Sequence, residues 1–312
     1  ASGRAVEQGG SEALEEAEPV TELSDLNALL RFALFNNAGL KAAFQQWHAA
    51  LQKIPQSEAL PDPRLSYGYF VRSVETRVGP QNHRIGITQT IPWFGTLKLR
   101  GEQAGREAEI ALRQLEARRE QIRFEVRNAY NEYAYLHRAI EIVDENIGLL
   151  KQLEGVAQAK FKGGGTYLGV LKAQVEMGKL DDRGASLRDL LEPVQARLNA
   201  ALSREANAFL PAPKIVPAPS PEGDDAGLVA RLAEANPDLL GLSAGIVREE
   251  NGVALARKSF FPDVTLGVDY IQTGNALSPA TPGNGKDPVV AMFSINIPLW
   301  WKKLRAGVQE AE

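Results

Sequence analysis

Side chains able to do chemistry are sparse in this chain. His48, His83 and His137 are its three histidines, and it has no cysteine. None of the three belongs to a spaced set of metal ligands, and without thiols there is no disulfide, thiolate site or cysteine nucleophile. Met177 and Met292 stand far apart, so a thioether copper site has no support. Gly163-Gly164-Gly165 invites comparison with a phosphate cradle. That chemistry needs Lys-Ser/Thr after the glycines, whereas Thr166-Tyr167 follow here. A turn is the simpler reading. No nucleophile–base pair, carboxylate dyad or cofactor loop stands out, so neither an enzyme nor a cofactor or metal is expected. A net charge of −4 with no basic block gives nucleic acid no electrostatic footprint.

The informative pattern lies in the elements. Leu60-Pro61-Asp62, an alternating stretch to Phe70, then Ile91-Pro92-Trp93 and a helix opened by Lys98 form one series. Phe261-Pro262-Asp263, an alternating stretch to Tyr270, then Ile297-Pro298-Leu299-Trp300-Trp301 and a helix opened by Lys302 form a second. The offsets are 206 residues (Pro92 to Pro298) and 201 (Pro61 to Pro262), far beyond the length of solenoid repeats. A half-molecule is duplicated. Glu312 falls where Arg106 sits in the first copy, so the second copy is expected to be truncated just after its helix begins.

Residues 1–23 are acidic and poor in large apolar groups, which predicts a disordered lead-in. Ala1-Ser2-Gly3-Arg4 carries no signal-peptide core, and no run of about 18 apolar residues predicts a membrane-spanning helix. A helix is expected within 24–60, running from Leu26 to Lys53 and capped by Asp25. Strands 1 and 2 occupy 61–92, separated by a polar loop from Ser73 to Asn82.

A coiled-coil hairpin is expected over 93–208. Its seam steps by four and three through Ala108, Leu112, Leu115, Ile122, Val126, Ala129, Tyr133, Leu136, Ile140, Val143, Ile147 and Leu150 to Phe161. About 65 residues at 1.5 Å rise make a rod of roughly 100 Å. The tip lies at 162–170, with Thr166 as a potential cap. The returning seam runs from Val170 to Leu198, and Pro193 is expected to kink or split it. A Pro-rich linker (209–226) leads to a counterpart helix in the second copy (227–260), which Asn236-Pro237-Asp238 should cap. Strands 3 and 4 fill 261–298, and 299–312 begins a second hairpin.

Each strand alternates an apolar with a small or polar side, so one face must be covered. Four strands cannot close a barrel, which takes about eight. The apolar faces therefore meet either a second sheet or, in a barrel shared among chains, lipid. Trp93, Phe94, Trp300 and Trp301 sit where strand becomes helix. They fit a membrane-interface girdle, although they could also plug a core. Gly163, Gly165, Thr166, Leu168 and Leu171 at the tip could admit another helical hairpin at close range; the plainer alternative is a turn alone.

These pieces resemble the TolC-type outer membrane efflux proteins. The similarity rests on Asn236-Pro237-x-Leu239 opening a helix, Pro262-Asp263 before a strand, Ile91-Pro92-Trp93-Phe94-x-x-Leu97-Lys98 at the junction, and Gly163-Gly164-Gly165-Thr166-Tyr167-Leu168-Gly169-Val170-Leu171-Lys172-Ala173-Gln174 at the tip. The tip is most similar to partners of resistance–nodulation–division pumps, including the heavy-metal branch. The resemblance implies a mixed α+β, mainly α, fold and a homotrimer. Each chain would give four strands to a 12-stranded membrane β-barrel and helices to a periplasmic tunnel. It implies an outer membrane conduit in a Gram-negative bacterium, exporting small molecules or metal ions with a periplasmic adaptor (membrane fusion protein) and an inner-membrane pump. One departure is clear: Gly169-Val170 stand where the family often places an aspartate, which puts an acidic entrance ring in doubt. The alternative function is a soluble periplasmic coiled-coil adaptor or scaffold. That protein would show a single hairpin between lipoyl-like segments rather than a duplicated strand–strand–rod order.

Overall fold

A computed structural model of the protein describes residues 25–214 and 224–312. The expected N-terminal lead-in and residues 215–223 of the Pro-rich linker lie outside the described residues. Two compact units divide the chain. One takes residues up to Phe44 together with Leu115–Leu232; the other takes Gln45–Gln114 and Ala233–Glu312.

The elements are α1 (Leu26–Asn36), α2 (Ala38–Glu58), β1 (Arg64–Thr76), β2 (Gly79–Ile91), α3 (Thr96–Lys162), α4 (Leu168–Asp189), α5 (Leu191–Ala201), α6 (Asp225–Ala235), α7 (Pro237–Lys258), β3 (Val264–Thr273), β4 (Val289–Ile295) and α8 (Trp301–Ala311). The fold is mainly helical, with one antiparallel sheet in the order β1-β2-β3-β4.

The first unit is built on the heptads. Ile122, Val126, Ala129, Tyr133 and Leu136 on α3 meet Val194 and Leu198 on α5, and Leu29, Leu30 and Ala33 of α1 join the same core. Pairs along the hairpin fix an antiparallel alignment. Glu132 bonds Arg197, Asp144 bonds Arg188 at 2.5 Å, and Glu154 accepts from Gln174 at 2.8 Å. Seam residues Ile122, Val126, Ala129, Tyr133, Leu136 and Val143 are buried and Leu112, Leu115 and Ile140 half-buried; beyond Val143, Ile147 and Leu150 are half-buried, and Phe161 is exposed instead of continuing the seam. The return strand of chain after α5 is pinned by side chains. Tyr130 Oη donates to the Lys214 carbonyl at 2.6 Å, and Asn199 Nδ2 to the carbonyls of Ala206 and Ala208.

Several local expectations change. The first helix is two: Asn37 ends α1, and its Oδ1 then accepts the Leu40 amide at 3.0 Å, starting α2. Asp25 precedes α1 but makes no side-chain cap, and Thr166 is not the cap of α4, where Tyr167 takes that position. Each is a propensity that backbone carbonyls and packing override. The polar loop expected from Ser73 to Asn82 is mostly strand, because Gly79 at φ +131° permits a tight reversal that only glycine accepts easily. Pro193 does split its helix: α4 ends at Asp189, and the proline falls in the first turn of α5, where its missing N–H costs nothing. Asn236 caps α7 as the sequence suggests, its Oδ1 accepting from Asp238 at 2.8 Å and Leu239 at 3.3 Å.

In the second unit α7 lies against the start of α3. Gly241 and Gly245 leave room for Arg113 and Ile110, and Arg248 closes on Glu107 at 2.6 Å. The hydrogen bonds from Arg248 to Glu107 and then Glu249 raise its guanidinium pKa.

Candidate functional site

Strand register sorts the sheet into two unlike faces. Leu65, Ile87, Val268 and Ala291 form one row across all four strands, and Tyr67, Ile85, Tyr270 and Val289 the next. Gln89, Leu266 and Phe293 make a row on one side of these, followed by Ile91, Val264 and Ile295. These apolar side chains are largely exposed, Leu65 and Val71 to 76% and 87%. A soluble sheet would cover such a face, because several large aliphatic rows in water are a strong drive to association.

The opposite face is small and polar. Its rows are Arg64, Thr88, Gly267, Met292 and then Ser66, Gly86, Asp269, Val290. Asp269 is almost wholly buried and bonds Arg84. Gly86 is required beside it, since a Cβ there would overlap Asp269 Oδ1 and crowd Ser66. Thr90 and Thr265 share a hydroxyl hydrogen bond at 3.0 Å on the same face. The pattern alternation was visible in the sequence, but the Arg84–Asp269 pair was not. Its signal was a charge of each sign set among glycines, serines and threonines.

Aromatic groups border the apolar face at both ends. At the turn end Tyr67 Oη bonds His83 Nδ1 at 2.8 Å, and the Tyr69 ring lies 5.2 Å from the same imidazole. Asp287, in the β3–β4 connection, accepts from the Tyr270 hydroxyl and from the Thr273 amide at 2.6 Å; these bonds hold its carboxyl below the ordinary value. At the helix end stand Trp93, Phe94, Trp300 and Trp301. Trp93 is half-buried, stacked on Phe261 at 5.2 Å with Phe94 edge-on at 5.7 Å. Phe94, Trp300 and Trp301 are exposed, the Trp301 ring 5.9 Å from Phe260. The structure thus brings the four proposed girdle residues to one end of the sheet, but gives Trp93 a packing role as well.

That end is sewn together by one carboxylate. Asp263 Oδ1 accepts the Trp93 amide at 3.0 Å, while the Asp263 amide donates to Asn296. One residue at the start of β3 therefore fixes the ends of both β2 and β4. Gly95 at φ +82° then turns the chain, and Thr96, buried, opens α3.

The tip is a glycine turn. Gly164 adopts φ +95°, and Gly165 donates to the Lys160 carbonyl at 3.0 Å, so close that a Cβ on Gly165 would press on that carbonyl. Phe161 packs edge-on against Tyr167 at 5.2 Å. Thr166, Leu168 and Leu171 are exposed, whereas Val170 and Ala173 face the hairpin seam. A second stripe escaped the sequence reading. Tyr135, Ile142, Leu149 and Val156 recur every seven residues on α3 and are exposed. This stripe gives the hairpin a second apolar seam without a partner.

Among the described residues no helix is long and apolar enough to cross a membrane, and no cluster of potential metal ligands occurs.

No curated protein sequence matches the chain. By structure it is similar to the outer-membrane channel OprN, with 20% identity and a TM-score of 0.65 over 92% of this chain and 67% of that one. It is similar to CusC, whose structures describe transmembrane channel formation, at 17% identity and a TM-score of 0.67 over 92% and 68%. The outer membrane protein VceC of Vibrio cholerae gives 18% identity and 0.62 over 92% and 73%. At these identities the likeness establishes the fold alone. The family model described as outer membrane efflux protein matches residues 29–204. The chain belongs to the outer membrane efflux protein family, the TolC-type channels of the Gram-negative outer membrane.

Proposed function

We propose that this outer membrane efflux protein works as a homotrimeric conduit, its sheet contributing one third of a 12-stranded lipid-facing barrel and its helical hairpin part of a periplasmic tunnel. The observation that carries the reading is the uncovered apolar face bounded at both ends by aromatic side chains. Lipid is the covering that suits it: acyl chains meet Ile87 and Val268, and the headgroup zone suits Trp300, Trp301 and Phe94. The small polar face, with Arg84, Asp269, Thr88 and Ser66, then borders water in the lumen. The exposed heptad stripe on α3 accepts a neighbouring helix in the tunnel wall.

Transport by such a conduit needs no pocket chemistry; a wide aqueous path passes what a pump delivers. The tip residues Gly163, Gly165, Thr166, Leu168 and Leu171 are the proposed docking point for a periplasmic adaptor that links the channel to an inner-membrane pump. Exposed Leu168 and Leu171 supply apolar contact, and the glycines allow close backbone approach. The soluble-adaptor alternative conflicts with the family and with an apolar sheet face of this size.

The experiment is a set of three measurements on the full-length protein. Fractionation without detergent should find it in the outer membrane, and the purified protein should give ion-conducting steps in planar bilayers. A cross-linker at Thr166 should capture the adaptor in cells. Recovery as a monomer from buffer without detergent would refute the conduit, and absence of adaptor capture from Thr166 would refute the docking point.

A further inference from the structure

The polar face of the sheet carries an unbalanced charge. Where the four strands pair regularly, short of the register shifts after Tyr69 and between Gln81 and His83, its ionised residues are Arg64, Arg84 and Asp269. Arg64 stands opposite Thr88, Arg84 opposite Gly68, and Asp269 opposite Gly86, which places all three on one side. Two bases against one acid leave a positive charge on this face of every chain.

Exposure widens the imbalance. The Asp269 side chain is 2% exposed and that of Arg84 48%. Asp269 lies over Gly86, in the space that a Cβ there would take. Arg84 bonds the second carboxylate oxygen, Oδ2, and reaches Met292 Sδ at 3.8 Å. The acid is laid beneath the base, and the end of the pair that water meets is cationic. Arg64 is exposed and forms no ion pair among the described residues. Its neighbours on this face, Ser66, Gly68 and Thr88, are short and uncharged, so nothing there neutralises it.

We propose that Arg64, supported by Arg84, makes the interior of the barrel favour anions. Small solutes bearing carboxylate, sulfonate or phosphate groups then pass ahead of cations of similar size. This rests on the reading of the polar face as the wall of an aqueous lumen, and adds its ionic preference. Thr88, which marks the level of Arg64, lies four residues from Arg84, so the two arginine levels stand roughly 13 Å apart along β2. Fixed charges of one sign on a low-dielectric wall concentrate ions of the other sign beside them. The Debye length is about 10 Å at 0.1 M salt and about 30 Å at 0.01 M, so the preference grows as salt is lowered.

The test is the reversal potential of the full-length protein in planar bilayers under a potassium chloride gradient. The parent and R64K should both favour chloride over potassium. R64Q should lower the chloride-to-potassium permeability ratio by about twofold or more in dilute salt, and this difference should shrink in about 1 M salt. The chain has no cysteine, so R64C gives a second readout on protein that has already folded. A cationic methanethiosulfonate should restore the parent's ratio in R64C, and an anionic one should invert the preference. A parent that favours potassium, or a ratio unmoved by R64Q and by both modifications of R64C, would overturn the anion preference and leave the conduit standing. A difference between parent and R64Q that persists undiminished in concentrated salt would overturn its electrostatic origin. A parent that gives no conducting steps would remove the conduit itself.

Discussion

An arginine on each face of the sheet tests the lipid assignment most directly. Ile87 lies in the Leu65–Ile87–Val268–Ala291 row, between the Tyr67–His83 end and the Trp93–Trp300 end of the apolar face. If that face meets acyl chains, Ile87→Arg places a guanidinium near mid-depth, at a cost of about 2–4 kcal/mol per chain. A factor of ten per 1.4 kcal/mol makes that roughly 30- to 700-fold in the folding equilibrium of each chain. Ser294→Arg sits on the opposite face beside Thr265, where water would solvate it, and should stay within about 0.5 kcal/mol of the parent. The assay is urea-dependent folding of the full-length protein into lipid vesicles, read by tryptophan fluorescence and protease protection, with outer-membrane levels in cells as the companion measurement. In a sheet whose faces both meet water, Ile87→Arg at a half-exposed position would cost little. Equal midpoints for the two variants, or a larger loss for Ser294→Arg, would refute the reasoning outright.

Other consequences are less costly to test. Ile122→Ala, in the core where α1, α3 and α5 meet, should lose about 2–5 kcal/mol, seen as a lower thermal midpoint with an unchanged helical spectrum. Asp263→Ala removes the acceptor of the Trp93 amide and should cost about 1–3 kcal/mol, with Trp93 emission shifting red as the junction loosens. Burial lowers the pKa of His137 from 6.5, with Glu141 opposing the shift; the folded state thus binds its proton less well than the unfolded chain. Stability should accordingly be full above pH 6.5 and fall as pH drops below it, and His137→Phe should flatten that slope in thermal melts between neutral and mildly acidic pH. Gly164→Val at φ +95° should lower stability by about 1 kcal/mol or more and reduce adaptor capture from Thr166.

Much of the fold was legible because its signals are periodic. Alternation in Leu65–Val71 and Val264–Tyr270 named the strands and their faces, and the four–three stepping from Ala108 to Val143 named the seam. Asn236-Pro237-Asp238 marked a helix start because cap, ring and acid act within one turn. The errors are at single residues that tertiary contacts decide. Asn37 breaks the first helix through its own side chain, which no apolar period reveals, and Gly79 shortens an expected loop to a tight turn. The proposed site was legible in outline only. Tryptophans at the junction were apparent, yet Asp263 holding the Trp93 amide joins residues 170 apart, and Arg84 meets Asp269 across 185. Such pairs need the register before they can be seen.

Duplication supplies that register and explains why the chain leaves so much apolar surface uncovered. A strand pair with one apolar face and a hairpin with two seams each satisfy only half of their contacts alone. Copying the pair makes β2–β3, and the copied edge β4 then has the same shape and the same alternation as β2, with nothing to meet in its own chain. A repeat whose internal junction is heterologous propagates until it closes, and closure requires further copies rather than further folding of one chain. The exposed stripe Tyr135–Ile142–Leu149–Val156 follows the same logic on the helices. Sheet edge, sheet face and helical stripe would then be covered by another copy, by lipid and by a neighbouring helix respectively. Covering any one of them with the wrong material would leave the other two exposed to water, which is why assembly and membrane insertion should prove to be coupled steps.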